Sequence, residues 1–211
     1  MAHSHAIETY KQNLKLTKTQ RETLVGILLG DAHLETQNRG RTYRLKIEQS
    51  NKHEAYVYHL YEVFAAWVLT PPQQKHSEKW WFQTVSHGAF RYYAQQFYRD
   101  GRKVVPAQIH RMLKPRSLAY WFMDDGSTKD KHSRAVLLNT QGFTQSEAAR
   151  LAQTLTEQFV LETSLRRQPE GYQVMIRGAS LERVLELVEP YLIPEMRYKL
   201  PNAGRTELPK R

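Results

Sequence analysis

The chain has 211 residues, enough for one sizeable domain or two small ones, and its 40% hydrophobic content can build a core. Its 31 Lys and Arg against 21 Asp and Glu leave a formal charge of +10, which points to a polyanionic partner, nucleic acid before membrane. The absence of cysteine excludes disulfides, thiolate zinc sites and cysteine nucleophiles, and no apolar run approaches the roughly 18 residues of a membrane span.

Taken in chain order, residues 1–20 read as an N-terminal extension with neither the apolar core of a secretory signal nor the character of a transit peptide. His3 and His5 belong to this terminus and do not read as a metal site. Residues 24–32, LVGILLGDA, form an apolar run that ends on Asp31. Such a run needs burial, whereas a carboxylate at its tip resists burial unless a cation meets it. A polar turn follows at residues 35–40, and His33 reads as part of that polar region. Residues 42–48 then alternate, which predicts a half-buried strand with Tyr43, Leu45 and Ile47 inward and Arg44, Lys46 and Glu48 outward. Val57, Leu60, Tyr61, Phe64 and Val68 recur at helical spacing, and Thr70-Pro71-Pro72 stops that helix. A strand at residues 79–85 leads into a helix at about residues 89–98. Trp80, Trp81, Phe82, Tyr92 and Tyr93 read as core residues.

The second half repeats this order. Residues 118–126, LAYWFMDDG, form another apolar run, and its Asp125 lies 94 residues after Asp31. A polar stretch at residues 126–133 and a strand at residues 135–138 follow. Thr144 and Glu147 have capping-box spacing and open a helix with Ala148, Leu151, Ala152, Leu155 and Phe159 on one face. Residues 165–168 and 172–177 flank Pro169-Glu170-Gly171 as a hairpin, and residues 181–188 form a further helix. Each half places a lysine shortly before a proline at its end, Lys103 before Pro106 and Lys199 before Pro201. Each half therefore reads as helix, two strands, helix, two strands, helix, an α+β repeat with subdomains at 21–105 and 106–211 fused into one body.

The paired nonamers, their spacing and the repeat order resemble the monomeric, two-motif LAGLIDADG homing endonucleases, with LVGILLGDA and LAYWFMDDG at the motif positions. SLAYWFMDDG (117–126), LNTQGFT (138–144) and YLIPEMRYKLPN (191–202) resemble the branch typified by the yeast mitochondrial omega-intron endonuclease. The resemblance implies a pseudo-twofold duplicated αββαββα fold, with two central LAGLIDADG helices packed together and antiparallel sheets forming a DNA-binding saddle. Gly26 and Gly30 have small-xxx-small spacing where the second copy has Ala119, so that packing is expected to be asymmetric.

The same resemblance makes Asp31 and Asp125 the essential acids and metal ligands, aided by the carbonyls of Gly30 and Asp124. Physical chemistry agrees, because phosphodiester hydrolysis needs charge relief on the phosphate and a strong nucleophile, and divalent cations held by hard oxygen ligands supply both. Two or three Mg²⁺ ions shared between the acids are implied, with Mn²⁺ able to substitute. Lys103 and Lys199 match the basic residues that the family places near the metals, and Gln49 and Gln141 the polar side chains that order active-site water. Candidates for DNA contact are Arg39, Arg41, Arg44, Lys46 and Glu48 in the first half. Their counterparts in the second are Lys129, Lys131, Arg134, Arg166, Arg167, Gln173 and Arg177. A twisted strand ribbon fits the major groove, where Arg reads guanine and Gln reads adenine.

The expected activity is Mg²⁺-dependent cleavage of both strands of double-stranded DNA at a long, asymmetric site, leaving short 3′ overhangs. The enzyme would act as a monomer without a membrane, made in a mitochondrion or chloroplast or in a bacterial cytoplasm. Two alternatives share the fold, an intron RNA maturase and a catalytically silent DNA-binding regulator.

Overall fold

The computed structural model describes residues 2–75, 78–130 and 132–201, with side chains from Ile7 onward. The chain divides into two compact units, residues 1–106 and 107–211.

In the first unit, α1 (Ala2–Gln12) precedes α2 (Lys18–Leu29). A capping box starts α2: the Thr17 hydroxyl accepts from the Gln20 amide at 3.1 Å, and Gln20 Oε1 accepts from the Thr17 amide at 3.0 Å. Residues 23–29 of α2 are all buried, so no face of this stretch meets solvent. The sheet is antiparallel in the order β1 (His33–Glu35), β2 (Arg44–Ser50), β4 (Lys79–Gln83), β3 (Gln73–Lys75). The alternation of β2 takes the expected hand, with Leu45 and Ile47 buried and Arg44, Lys46 and Glu48 on the opposite, half-exposed face. Helix α3 (Glu54–Val63) covers the inner face of β2 and β4 through Tyr56, Val57 and Leu60. It stops earlier than its periodicity suggests. Phe64 closes it, and a 3-10 turn at Ala65–Trp67 places Trp67 in the core. Helix α4 (Arg91–Phe97) leads into a hairpin of β5 (Tyr98–Arg99) and β6 (Arg102–Lys103), turned by Asp100 and Gly101 at φ 52° and 75°.

The second unit opens with the short α5 (Ile109–Met112) and with α6 (Pro115–Asp125), whose proline occupies the first helical turn. Residues 117–123 of α6 are all buried. Its sheet repeats the first topology, β7 (Gly126–Thr128), β8 (Val136–Asn139), β10 (Gly171–Ile176), β9 (Thr163–Gln168). Helix α7 (Gln145–Phe159) packs on β9 and β10 and carries the expected capping box at Thr144 and Glu147. Helix α8 (Leu181–Val188) packs against α6, and a 3-10 turn at Pro194–Lys199 follows.

The predicted order helix, two strands, helix, two strands, helix recurs from α2 to α4 and from α6 to α8; α1 and the β5–β6 hairpin are additional in the first unit and α5 in the second. Three short strands were hidden by their polarity: β1, β3 and β7 contain few apolar residues and are held by ladder hydrogen bonds. The aromatic reading needs correction at two positions. Phe82 and Tyr93 are core, but Tyr92 is 55% exposed and Trp81 points to the outward face of the sheet.

The two motif helices end differently. The Gly126 amide keeps a regular bond to Phe122 O, whereas the Ala32 amide reaches back five residues to Ile27 O at 3.0 Å. A Cβ on Gly126 would lie 2.1 Å from Phe122 Cδ2 and 2.4 Å from the Phe122 carbonyl oxygen. Gly126→Ala should therefore destabilise the protein by about 2 kcal/mol, the usual cost of overpacking a tight site. Thermal unfolding of the variant checks this; an unchanged Tm would mean that the helix end is slack.

Candidate active site and nucleic-acid interface

Asp125 is the last residue of α6, and a lysine reaches its helix end: Lys199 Nζ donates to the Met123 carbonyl and to Asp124 O, the latter at 2.8 Å. The first unit has the same device. Lys103 on β6 donates to Gly30 O at 2.7 Å and to Ala32 O at 2.8 Å, on either side of Asp31. A helix C-terminus presents unsatisfied carbonyls and partial negative charge, and a carboxylate beside it adds to that charge. Each ammonium offsets both. The structure corrects one detail, because Asp31 lies two residues beyond the end of α2, past the Gly30 cap, and is exposed. Asp125 is half-buried.

Gln49 on β2 is buried and sits against the first acid, its Nε2 donating to Asp31 Oδ2 at 2.9 Å. His53 Nδ1 lies 3.2 Å from Gln49 Oε1. Gln141 stands differently. Strand β8 ends at Asn139, and Gln141 falls in the turn that follows, whereas Gln49 lies within β2. Its backbone packs against Gly171, where a Cβ would come within 2.8 Å of Gln141 O.

The outward face of the first sheet is a charged surface built around two acids. Glu35 accepts from Arg44 Nη2 at 2.9 Å and from Lys46 at 3.3 Å, with His33 Nε2 3.1 Å away. Glu48 accepts from Lys79 at 2.7 Å, and Lys75 lies 3.9 Å away. Trp81 lies between Glu48 and Gln73 in the ladder. Partial burial alone would raise the Glu35 carboxyl, but hydrogen bonds from Arg44, His33 and Lys46 outweigh it and bring the pKa down to about 2. Arg39, at φ 56°, and Arg41 are exposed in the preceding turn. Period-two counting through β3 and β4 places Lys75, Lys79, Trp81 and Gln83 on the same face as Arg44 and Lys46. That signal was present in the sequence.

The second sheet is chemically different. Its outward row carries Ser127, Leu137, Met175 and Ser164, followed by Asn139, Gln173 and Arg166. Gln173 Nε2 donates to Asn139 Oδ1 at 2.7 Å. Arg167 stands beside Tyr172 with the opposite orientation from Arg166, and Arg177 follows the end of β10; both are exposed. Lys129 is exposed after β7, and exposed Arg134 pairs with Glu182 at 2.7 Å. Lys131 lies outside the described residues.

These features define a duplicated α+β protein in which each unit offers one lysine-clamped acid and one polar sheet face. The chain belongs to the LAGLIDADG DNA endonuclease family, whose model matches residues 21–184. It is 35% identical to a probable intron-encoded endonuclease 1 of Wickerhamomyces canadensis, over 93% of this chain and 90% of that protein. It is 29% identical to the cytochrome b mRNA maturase bI2 of Debaryomyces hansenii, over 90% of this chain and 76% of that protein. Among solved structures, homing endonuclease I-WcaI bound to its DNA recognition sequence superposes with a TM-score of 0.85 at 34% identity, covering 92% of this chain and 91% of that one. Among the described residues, no helix is long and apolar enough to cross a membrane.

The depressed Glu35 carboxyl has a consequence for stability. Its contribution is complete above the ordinary glutamate value of about 4.5 and is lost as pH falls from there toward about 2. Urea unfolding should show the parent protein losing ~1 kcal/mol more than Glu35→Gln between about pH 5 and pH 3, after allowance for solvent screening. Equal losses would show that the network adds nothing to folding.

Proposed function

We propose that this chain is a site-specific homing endonuclease that hydrolyses one phosphodiester in each strand of a long, asymmetric DNA target and leaves short 3′ overhangs. One observation carries the reading: an aspartate stands at the end of α6 and another just past the end of α2, each with a lysine ammonium on neighbouring carbonyls. An acid that merely ended a helix would not need this arrangement twice.

Among the described residues, no three His, Asp or Glu side chains gather as a metal cage. Each unit instead offers one carboxylate among backbone carbonyls. Hard oxygen donors that become complete only with substrate phosphate and water suit Mg²⁺, and Mn²⁺ by the same ligand preference. Asp31 and Asp125 are the side chains that would hold the ions. The carbonyls of Gly30 and Asp124 accept lysine ammonium groups, whose charge opposes a cation at the same oxygen. When bound, a divalent ion relieves charge on the scissile phosphate and makes water a usable nucleophile near neutral pH.

The chain's own residues do the rest. Lys103 and Lys199 hold the two acids at fixed helix ends and keep positive charge beside the position of the developing phosphorane charge. Gln49 orients the Asp31 carboxylate and, with Gln141, is assigned to ordering water at the site. Arg39, Arg41, Arg44, Lys46 and Glu48 on one sheet, with Gln173, Arg166 and the flanking Lys129, Lys131, Arg134, Arg167 and Arg177 on the other, are assigned to DNA contact. Most of these contacts position the duplex, and a few read base edges. The likeness to intron-encoded proteins supports an origin in a mitochondrial or chloroplast intron.

The test is incubation of the purified protein with pooled organellar DNA fragments, in Mg²⁺ or in EDTA, followed by sequencing of the ends. Cuts with 3′ overhangs at one recurrent site in Mg²⁺ alone are expected; binding without cutting would favour the regulator or maturase. Asp31→Asn or Asp125→Asn should lower double-strand cleavage by at least ~10²-fold, of the order seen when a single charge-stabilising group is removed from other enzymes. Filter binding to the target should be nearly unchanged for both variants. A variant that still linearises plasmid at the parent rate would refute its assigned role.

A further inference from the structure

Helix α3 continues directly from a 3-10 turn at Asn51–His53, and the Glu54 amide bonds to Asn51 O. His53 stands at this junction, and its side chain makes no hydrogen bond to the helix amides. Its ring faces Gln49, whose amide in turn meets Asp31, so His53, Gln49 and Asp31 form a chain of contacts of 3.2 and 2.9 Å. The chemistry of the groups sets its direction. Gln49 Oε1 can only accept, so His53 must present Nδ1–H to it, and that contact holds the Gln49 amide with its NH₂ toward the carboxylate. The reversed amide would place two oxygens against each other.

The strand registers identify the corresponding positions in the second unit. His33 pairs with Lys46, so the β1–β2 register carried back one residue sets Ala32, next to Asp31, opposite Ile47, two residues before Gln49. Gly126 follows Asp125 and pairs with Leu138, two residues before Thr140. Gln49 thus corresponds to Thr140, and His53 to Thr144, the N-cap of α7. Neither threonine can reproduce the relay. The Thr140 hydroxyl donates to Tyr172 O, and Thr144 is spent on its capping box.

We propose that His53 is a positioning residue for Asp31, acting through Gln49, and that this relay serves the first unit alone. Its ring is turned to Gln49, and through Gln49 it fixes the orientation of one acid. The two acids are therefore held by unequal means, and loss of the relay affects one DNA strand. The inference rests on the nuclease reading above.

The experiment uses the full chain and a supercoiled plasmid carrying its cleavage site, in Mg²⁺. His53→Ser removes the ring and leaves no N–H donor at the Nδ1 position. It should leave Tm nearly unchanged while slowing cleavage of one strand by about tenfold or more, so that nicked plasmid accumulates with the nick always in the same strand. His53→Asn places an amide N–H where Nδ1 stood and should restore linearisation. Independently of cleavage, ¹⁵N NMR should show the Gln49 side-chain NH₂ resonances displaced in His53→Ser and nearly native in His53→Asn. If His53→Ser slows both strands equally, or lowers Tm in step with activity, the histidine is merely structural and the relay is refuted. Native Gln49 resonances in His53→Ser would refute it as well. If the parent protein cuts no duplex, the nuclease reading falls, while the NMR comparison still decides whether His53 orients Gln49.

Discussion

Each unit depends on resolving one electrostatic conflict, a carboxylate placed where a helix already presents partial negative charge. The resolution comes from far along the chain. Lys103 reaches back more than seventy residues to the carbonyls around Asp31, and Lys199 does the same beside Asp125. The contact therefore joins the beginning of each repeat to its end. With the helix end neutralised, residues 23–29 and 117–123 can be enclosed on every side while the acids themselves keep solvent access.

Much of this architecture was legible in the sequence, because hydrophobic periodicity and capping chemistry are local signals. The alternation through β2, the capping box at Thr144 and the limits of α8 all follow from residues a few positions apart. The duplication made the acids legible too, since two matching tips are far less probable by chance than one. What escaped is governed by partners distant in sequence. The polar strands β1, β3 and β7 exist because a neighbouring strand supplies their hydrogen bonds. Trp81 points outward because the register of β4 requires it. Gln141 looked like the counterpart of Gln49 by residue type, yet strand pairing gives that position to Thr140. His53 could not be noticed without the fold, because its meaning lies in its contact with Gln49.

The two sheet faces show how one repeat can diverge while its frame stays intact. Inner positions are confined to apolar residues by the core, whereas outward positions are free to vary. The first face has filled with opposed charges organised around Glu35 and Glu48, and the second with hydroxyl, amide and apolar groups around a single outward arginine, Arg166. Under the proposed function, electrostatic attraction to a polyanion and hydrogen-bond discrimination among bases would be weighted differently in the two units.

The Glu35 cluster also bears on protein engineering. Arg44, Lys46 and His33 share one carboxylate, so exchanging any of them redistributes the hydrogen bonds of the others, and substitutions there will not combine additively. Selecting new variants at those positions calls for libraries that vary all four residues together. Ser164 and Gln168 on β9 are joined to no such cluster by side-chain bonds, and they are the places where one-at-a-time redesign can accumulate stepwise gains.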